Sequence, residues 1–185
     1  MYISFRGQER AITVMEDEMT FEEAIMMAIE YETKVRDAYL NSVGDIADEA
    51  GQRVFRVLGE EEQNHIDYLQ TKLEEWQYSG TVSASKIETA VPPAEIIEAG
   101  VSKLDDHLSE RDFGTEREML RKALALERET SDFYHRMVDE LGEQGKFFGR
   151  FVEIEDGHLA IVQAELDYLM RSGTYFDFVE FNQEY

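Results

Sequence analysis

The feature that most constrains this chain is a pair of Glu-x-x-His sequences, each set about thirty residues after a lone Glu. The first set is Glu32 with Glu62-Gln63-Asn64-His65, and the second is Glu127 with Glu155-Asp156-Gly157-His158. On a helix, positions i and i+3 stand ~300° apart around the axis, so each Glu and its His share one face about a turn apart. That face is otherwise apolar. One segment reads Phe55, Leu58, Glu62, His65, Leu69, and another reads Phe148, Phe151, Glu155, His158, Val162. The lone acids fall in stripes of the same kind: Ile25, Ala28, Glu32, Val35, Tyr39, and Leu120, Leu124, Glu127, Ser131, Tyr134. Each acid or imidazole stands where the packing pattern calls for Leu. The pattern predicts four amphipathic helices that bury polar side chains together.

Helix signals agree with that number. Thr20 with Glu23 forms a capping box for a first helix, whose apolar stripe runs from Phe21 through Val35. Gly44-Asp45 breaks it, and Asp48 offers the N-cap of a second helix reaching about Gln77. Thr115 with Glu118 repeats the capping box for a third helix ending near Gly142. A fourth runs from about Gly145 to Arg171, where Ser172-Gly173 stops it. The connection from about 78 to 114 is too long for a tight turn and suits a crossover along a bundle. In it Pro92-Pro93 opens a short helix carrying Ile96, Ile97 and Leu104. We read residues 1–185 as a single domain: an N-terminal arm over 1–19, the bundle and crossover over 20–171, and an aromatic tail over 172–185. That tail holds Tyr175, Phe176, Phe178, Phe181 and Tyr185, and is expected to pack on the bundle or on a neighbouring subunit.

The chain also repeats itself. Ala28-Ile29-Glu30-Tyr31-Glu32 through Ala38-Tyr39 matches Ala123-Leu124-Ala125-Leu126-Glu127 through Phe133-Tyr134. In an antiparallel hairpin, groups at equal height lie symmetrically about the turn. The midpoint of Glu32 and Glu62 is Ala47, and that of Glu127 and Glu155 is Leu141. Both fall at the turn signals, so the two hairpins relate by a pseudo-twofold.

Composition narrows the chemistry. The net charge is −23 and there is no Cys among 185 residues. A polyanion needs a basic face to release its counterions, so nucleic acid is not an expected partner, and an anionic membrane is disfavoured for the same reason. Without Cys there are no disulfides, thiolate nucleophiles, Cys-ligated zinc or iron–sulfur clusters. Met1–Thr20 lacks the apolar core of a signal peptide, and no stretch approaches the ~18 apolar residues of a membrane span. The expected location is the cytoplasm.

An isolated buried carboxylate costs several kcal/mol, and four near one another repel or bind protons. Two divalent cations balance four carboxylates, and two neutral imidazoles complete the shell. Mixed oxygen and nitrogen ligation suits iron or manganese; zinc usually takes fewer ligands. The candidate ligands are Glu32, Glu62, His65, Glu127, Glu155 and His158. The bland alternative is six polar groups satisfying one another inside a plain bundle. Tyr39 and Tyr134, each seven residues after the lone Glu, are core residues or hydrogen-bond donors to a ligating carboxylate. Asp132-x-x-His135 is the kind of match that chance supplies in so acidic a chain. His135 lies ~80° around the helix from Glu127, which places it at a rim or on the surface. Glu30 and Glu129 point away from the stripe, His107 has no partner pattern, and Met26-Met27 reads as core filler.

These residues resemble the rubrerythrin-like branch of the ferritin-like superfamily. The matching stretches are Ala28 to Tyr39, Leu58 to His65, Ala123 to Tyr134 and Glu153 to Leu159. The resemblance implies an all-α, ferritin-like four-helix bundle with a non-haem centre of two iron ions. By that analogy Glu62 and Glu155 bridge the metals, while Glu32, Glu127, His65 and His158 are terminal ligands. Members reduce hydrogen peroxide or oxidise ferrous iron with dioxygen, and many are dimers, so a homodimer is expected. Two departures matter. Rubrerythrins carry an extra Glu three residues after the third-helix ligand, where this chain has Thr130 (and Val35 in the first repeat). They also end in a four-Cys rubredoxin domain that this chain lacks, so electrons must come from a separate donor protein.

Three functions compete. The first is an oxidoreductase that reduces peroxide with electrons from an external donor. The second is a ferroxidase that consumes dioxygen and stores or delivers iron, although the tail after Gly173 does not read as a cage-building fifth helix. The third is a metal-free helical interaction module whose buried acids are a relic.

Overall fold

A computed structural model describes residues 19–83, 85–92, 96–97 and 114–175. Its elements are α1 (Phe21–Ser42), α2 (Glu49–Ser79), α3 (Gly114–Glu140) and α4 (Gly149–Ser172), an all-α bundle. A 3₁₀ turn over Val43–Asp45 joins α1 to α2, and another over Gln144–Phe148 joins α3 to α4. Such short links make each pair an antiparallel hairpin. The hairpins meet chiefly where α1 packs along α3.

Local chemistry sets the ends of these helices. The Thr20 hydroxyl accepts the Glu23 N–H while the Glu23 carboxylate accepts the Thr20 N–H at 2.9 Å, closing the expected capping box. Asp48 accepts the N–H groups of Ala50 and Gly51 and caps α2. Gly173 ends α4 at φ 78°, a left-handed position that glycine takes without a Cβ clash. The third helix departs from expectation. Gly114 is already helical, so Thr115 lies inside α3 and does not act as its N-cap. The fourth begins with a tighter turn than its sequence suggested, becoming α-helical only at Gly149.

The apolar stripes pack into two clusters. One gathers Tyr39, Phe55, Leu58, Leu120 and Val162; the other gathers Ile25, Leu69, Phe133, Tyr134 and Phe151. Their members come from opposite halves of each helix, which leaves a layer between them at mid-height. Ala123 is fully packed in the α3 stripe while Leu124 is only half-buried, a small rotation from the expected face. Met26, expected in the core, is 51% exposed because its position turns to the outer side of α1.

The described part of the crossover leaves α2 after Ser79 and passes back over the bundle, with Ile87, Val91 and Ile97 buried. Ile96 and Ile97 are helical; Leu104 and His107 lie outside the described residues, as do the N-terminal arm through residue 18 and the tail beyond Tyr175. Tyr175 itself packs on the bundle, its ring 6.3 Å from that of Phe55 and pressed against Gly51. Among the described residues no helix is long and apolar enough to cross a membrane.

Candidate metal centre

The layer between the two apolar clusters holds all six predicted ligands. Glu32 comes from α1, Glu62 and His65 from α2, Glu127 from α3, and Glu155 and His158 from α4, and each is 0% exposed. His65 Nδ1 lies 2.9 Å from Glu62 Oε2 and 3.4 Å from both Glu32 Oε2 and Glu155 Oε1. His158 Nδ1 lies 2.8 Å from Glu62 Oε1, 3.9 Å from Glu155 Oε2 and 4.0 Å from Glu127 Oε2. The imidazoles stack at 5.5 Å with their planes 15° apart. Glu32, Glu62, His65 and Glu155 form one group whose ligand atoms all lie within 4.8 Å of one another. Glu62, Glu127, Glu155 and His158 form a second. Glu62 and Glu155 belong to both.

Two tyrosines hold the lone acids. The Tyr39 hydroxyl donates to Glu127 Oε1, and the Tyr134 hydroxyl donates to Glu32 Oε1. Each tyrosine thus reaches the acid of the opposite repeat. Each carboxylate keeps its Oε2 turned toward the histidine of its own group. Phe151 stacks on Tyr134 at 4.7 Å and sets its edge to His65 at 5.7 Å, while Phe55 meets Tyr39 edge-on at 5.4 Å. These rings leave the acids little freedom to turn and little water to face.

The electrostatics follow from that enclosure. Burial, and next the Glu62 charge, push Glu32 up to about 8 and Glu127 up to about 7. Burial with the charges of Glu32 and Glu62 raises Glu155 well above the carboxylate range. Glu62 goes the other way: burial works against its charge, but His158 and His65 outweigh it and hold the carboxyl far down. Burial likewise opposes charge on the imidazoles, yet Glu32 and Glu62 push His65 up to about 10, and Glu62 and Glu155 raise His158. The hydroxyls of Tyr39 and Tyr134 stay protonated, raised by burial and by the acids they serve. The metal-free centre therefore limits its own repulsion by holding protons.

The donor set fits metal ligation. Glu62 Oε1, Glu127 Oε2, both oxygens of Glu155 and His158 Nδ1 are buried without a hydrogen-bond partner. The 2.8 Å approach of His158 Nδ1 to Glu62 Oε1 lacks hydrogen-bond alignment. Atoms that crowd together without pointing at one another are arranged around common points, as ligands are. These buried Glu and His groups can hold metal ions. Oxygen-rich donor groups with one nitrogen each belong to the borderline-to-hard divalent metals.

The residues set aside on sequence grounds stay aside. Glu30 and Glu129 are exposed, and His135 is 54% exposed with Nε2 3.5 Å from Asp156 Oδ1. Thr130 is buried and spends its hydroxyl on the Leu126 carbonyl of its own helix. The sequence pattern left two polar residues near the centre, Ser131 and Glu61, without a role. Ser131 donates to Asp156 at 3.0 Å. Glu61, 7% exposed, turns one oxygen toward His158 Nε2 at 3.8 Å. Glu61 stands one position off the ligand stripe, and only its neighbourhood in space reveals it. A surface cleft of about 520 Å³ is lined in part by Tyr68 and Phe147. Both rings touch Phe151, which edges His65. Comparison with family models, with curated proteins and with solved structures returns no match to this chain.

Proposed function

We propose that this protein is a non-haem di-iron oxidoreductase that reduces hydrogen peroxide to water with electrons from a separate donor protein. The observation that carries the reading is the sharing of Glu62 and Glu155 by both ligand groups. Carboxylates shared by the two groups would hold two ions as neighbours, which two-electron chemistry on a small oxidant needs. Bound as a ferrous pair, the metal supplies the two electrons that conversion of hydrogen peroxide to two waters requires, with two protons completing the balance.

The chain's own residues prepare that chemistry. Glu32 with His65, and Glu127 with His158, close the two ends of the centre. Tyr134 and Tyr39 fix the outer oxygens of those acids and keep their own protons. The aromatic packing of Phe151 and Phe55 excludes bulk water, which strengthens every charge interaction inside. The cleft lined in part by Tyr68 and Phe147, whose rings touch Phe151, has room for a molecule as small as peroxide.

One observation favours a second reading, ferrous oxidation by dioxygen with iron storage or delivery. Peroxide-reducing relatives of the kind this sequence resembles carry Glu where this chain has Thr130, and the Thr130 hydroxyl is turned onto its own helix. Anaerobic ferrous titration of the metal-free protein, followed by rapid mixing with peroxide or air-saturated buffer, separates the two. We expect saturation near two irons per chain and faster oxidation by peroxide. Faster oxidation by dioxygen would move the assignment to ferroxidation. In Glu32→Gln/Glu127→Gln, stoichiometric binding is lost while helicity by circular dichroism is kept. Unchanged binding in that variant would sink both readings in favour of the interaction module.

A further inference from the structure

The reading of the centre as a metal site leaves a buried acid beside it, Glu61, without a task. Glu61 precedes the shared ligand Glu62 on α2, and its two oxygens face different ways. Oε1 accepts the Ala90 N–H of the crossover at 2.9 Å. Oε2 is buried without a hydrogen-bond partner and lies 3.8 Å from His158 Nε2, itself buried and unpartnered. The crossover passes directly outside. The Pro92 carbonyl would stand 3.3 Å from a Cβ at Gly157, one residue before His158, so a glycine there admits the crossover chain.

The imidazole decides what this contact does. His158 turns Nδ1 into the centre. A neutral imidazole that ligates through Nδ1 carries its proton on Nε2, and a buried N–H needs an acceptor. Glu61, His65 and His158 also bring their ligand atoms within 4.8 Å of one another. Nδ1 ligation, however, leaves Nε2 protonated and unable to bind a further cation. An acceptor is what remains for Glu61 to be.

We propose that Glu61 is a positioning residue for the metal centre: it accepts the Nε2–H of His158, so presenting that ring's Nδ1 to the ions, and ties the ligand to the crossover through Ala90. The inference rests on the metal-centre reading above and adds an asymmetry to it. In the second repeat the position before Glu155 is Ile154, 3% exposed in an apolar cluster, so that repeat supplies no acid equivalent to Glu61 behind His65. That atom is buried without a hydrogen-bond partner. The position built from Glu127 and His158 is the better prepared of the two and fills first.

Cobalt(II) titration of the metal-free protein, followed by visible absorption and calorimetry, tests this. Wild type takes up two ions per chain in two resolved steps. Glu61→Leu, which removes both acceptors, weakens one step by ~10–100-fold and leaves the other in place, the usual effect of losing an acid behind a ligating histidine. Glu61→Gln keeps the volume and one acceptor and loses less. Proton spectra of the cobalt-loaded wild type supply a readout that folding alone does not move. Two paramagnetically shifted ring N–H signals are expected, and one outlasts the other in D₂O; Glu61→Gln makes that signal exchange quickly. Should Glu61→Leu fail to fold, the wild-type N–H pair and Glu61→Gln still decide. Two cobalt ions bound with equal affinity in all three proteins, or N–H signals that exchange alike, would overturn the role of Glu61 alone. Failure of wild type to bind cobalt would overturn the metal-centre reading itself, and the positioning role with it.

Discussion

At the scale of the residue, the arrangement of the buried centre rests on hydroxyls as much as on carboxylates. Glu32 and Glu127 each have one oxygen turned into the centre and the other bonded to a tyrosine from the opposite repeat. Without that donor the outer oxygen is a buried acceptor with nothing to accept, an arrangement that costs about 1–3 kcal/mol. The carboxylate would also be free to rotate and offer its ligand oxygen elsewhere. Tyr134→Phe is therefore expected to weaken the ion held by Glu32 and His65, and Tyr39→Phe the ion held by Glu127 and His158. Each loss should be ~10–100-fold, the scale of removing a group that orients a ligand. Because the tyrosines cross between repeats, the affected position is the reverse of what sequence proximity suggests. Cobalt titration of both variants, read together with the Glu61 variants, checks the assignment; weakening of the same step by both substitutions would contradict it.

At the scale of the element, the helices do little more than hold six side chains at one height, and their caps mark where each helix begins. Asp48 sets where α2 begins, and thirteen residues later the chain reaches Glu61 and then Glu62. Asp48→Ala removes the acceptor for two N–H groups and should cost about 1 kcal/mol in urea unfolding, with metal stoichiometry kept because the packed stripe, not the cap, sets rotation. Loss of stoichiometry would mean that the cap also fixes register. The same logic explains what could be read from sequence. Thr20, Asp48 and Gly173 are punctuation with a local mechanism, so the ends they govern were legible. The six acids and imidazoles of the centre were legible because each interrupts an apolar stripe at a fixed period. The start of α3 was not, since Gly114 joins a helix that a Thr-x-x-Glu pattern placed later. Nor was Glu61, which neighbours Glu62 in sequence but owes its importance to the return of the crossover near Ala90. A contact between segments some thirty residues apart has no periodic signature.

At the scale of the whole molecule, the centre couples stability to pH with a sign that bound metal reverses. In the metal-free protein, Glu32 and Glu127 titrate near 8 and 7 against a usual 4.5, and Glu155 lies above its usual value too. His65 titrates near 10 against 6.5, and His158 is also raised. Each raised group contributes stability that is fully present below its unfolded value and is lost as pH climbs through its folded one. Glu62 acts oppositely, but its contribution is lost only as pH falls below about 4.5, the usual carboxylate value. Between roughly pH 5 and 10 the native metal-free chain therefore holds more protons than the unfolded one, and its stability falls as pH rises. Loading with two divalent ions at neutral pH displaces about four of those protons, from Glu32, Glu155 and the two Nδ1 atoms. The loaded native state then holds fewer protons than the unfolded chain wherever unfolded histidines are charged. Its stability rises from pH 5 to about 7 and then levels. Thermal unfolding across pH 5 to 9, with chelator and with cobalt(II), should give melting curves that diverge as pH increases. Glu32→Gln/Glu127→Gln should flatten the metal-free slope, since two of the titrating groups are gone. A chelated wild type that gains stability from pH 6 to 8 would mean that the six groups do not share protons as their burial demands. The acids in the centre would then have to be balanced by something other than the histidines beside them.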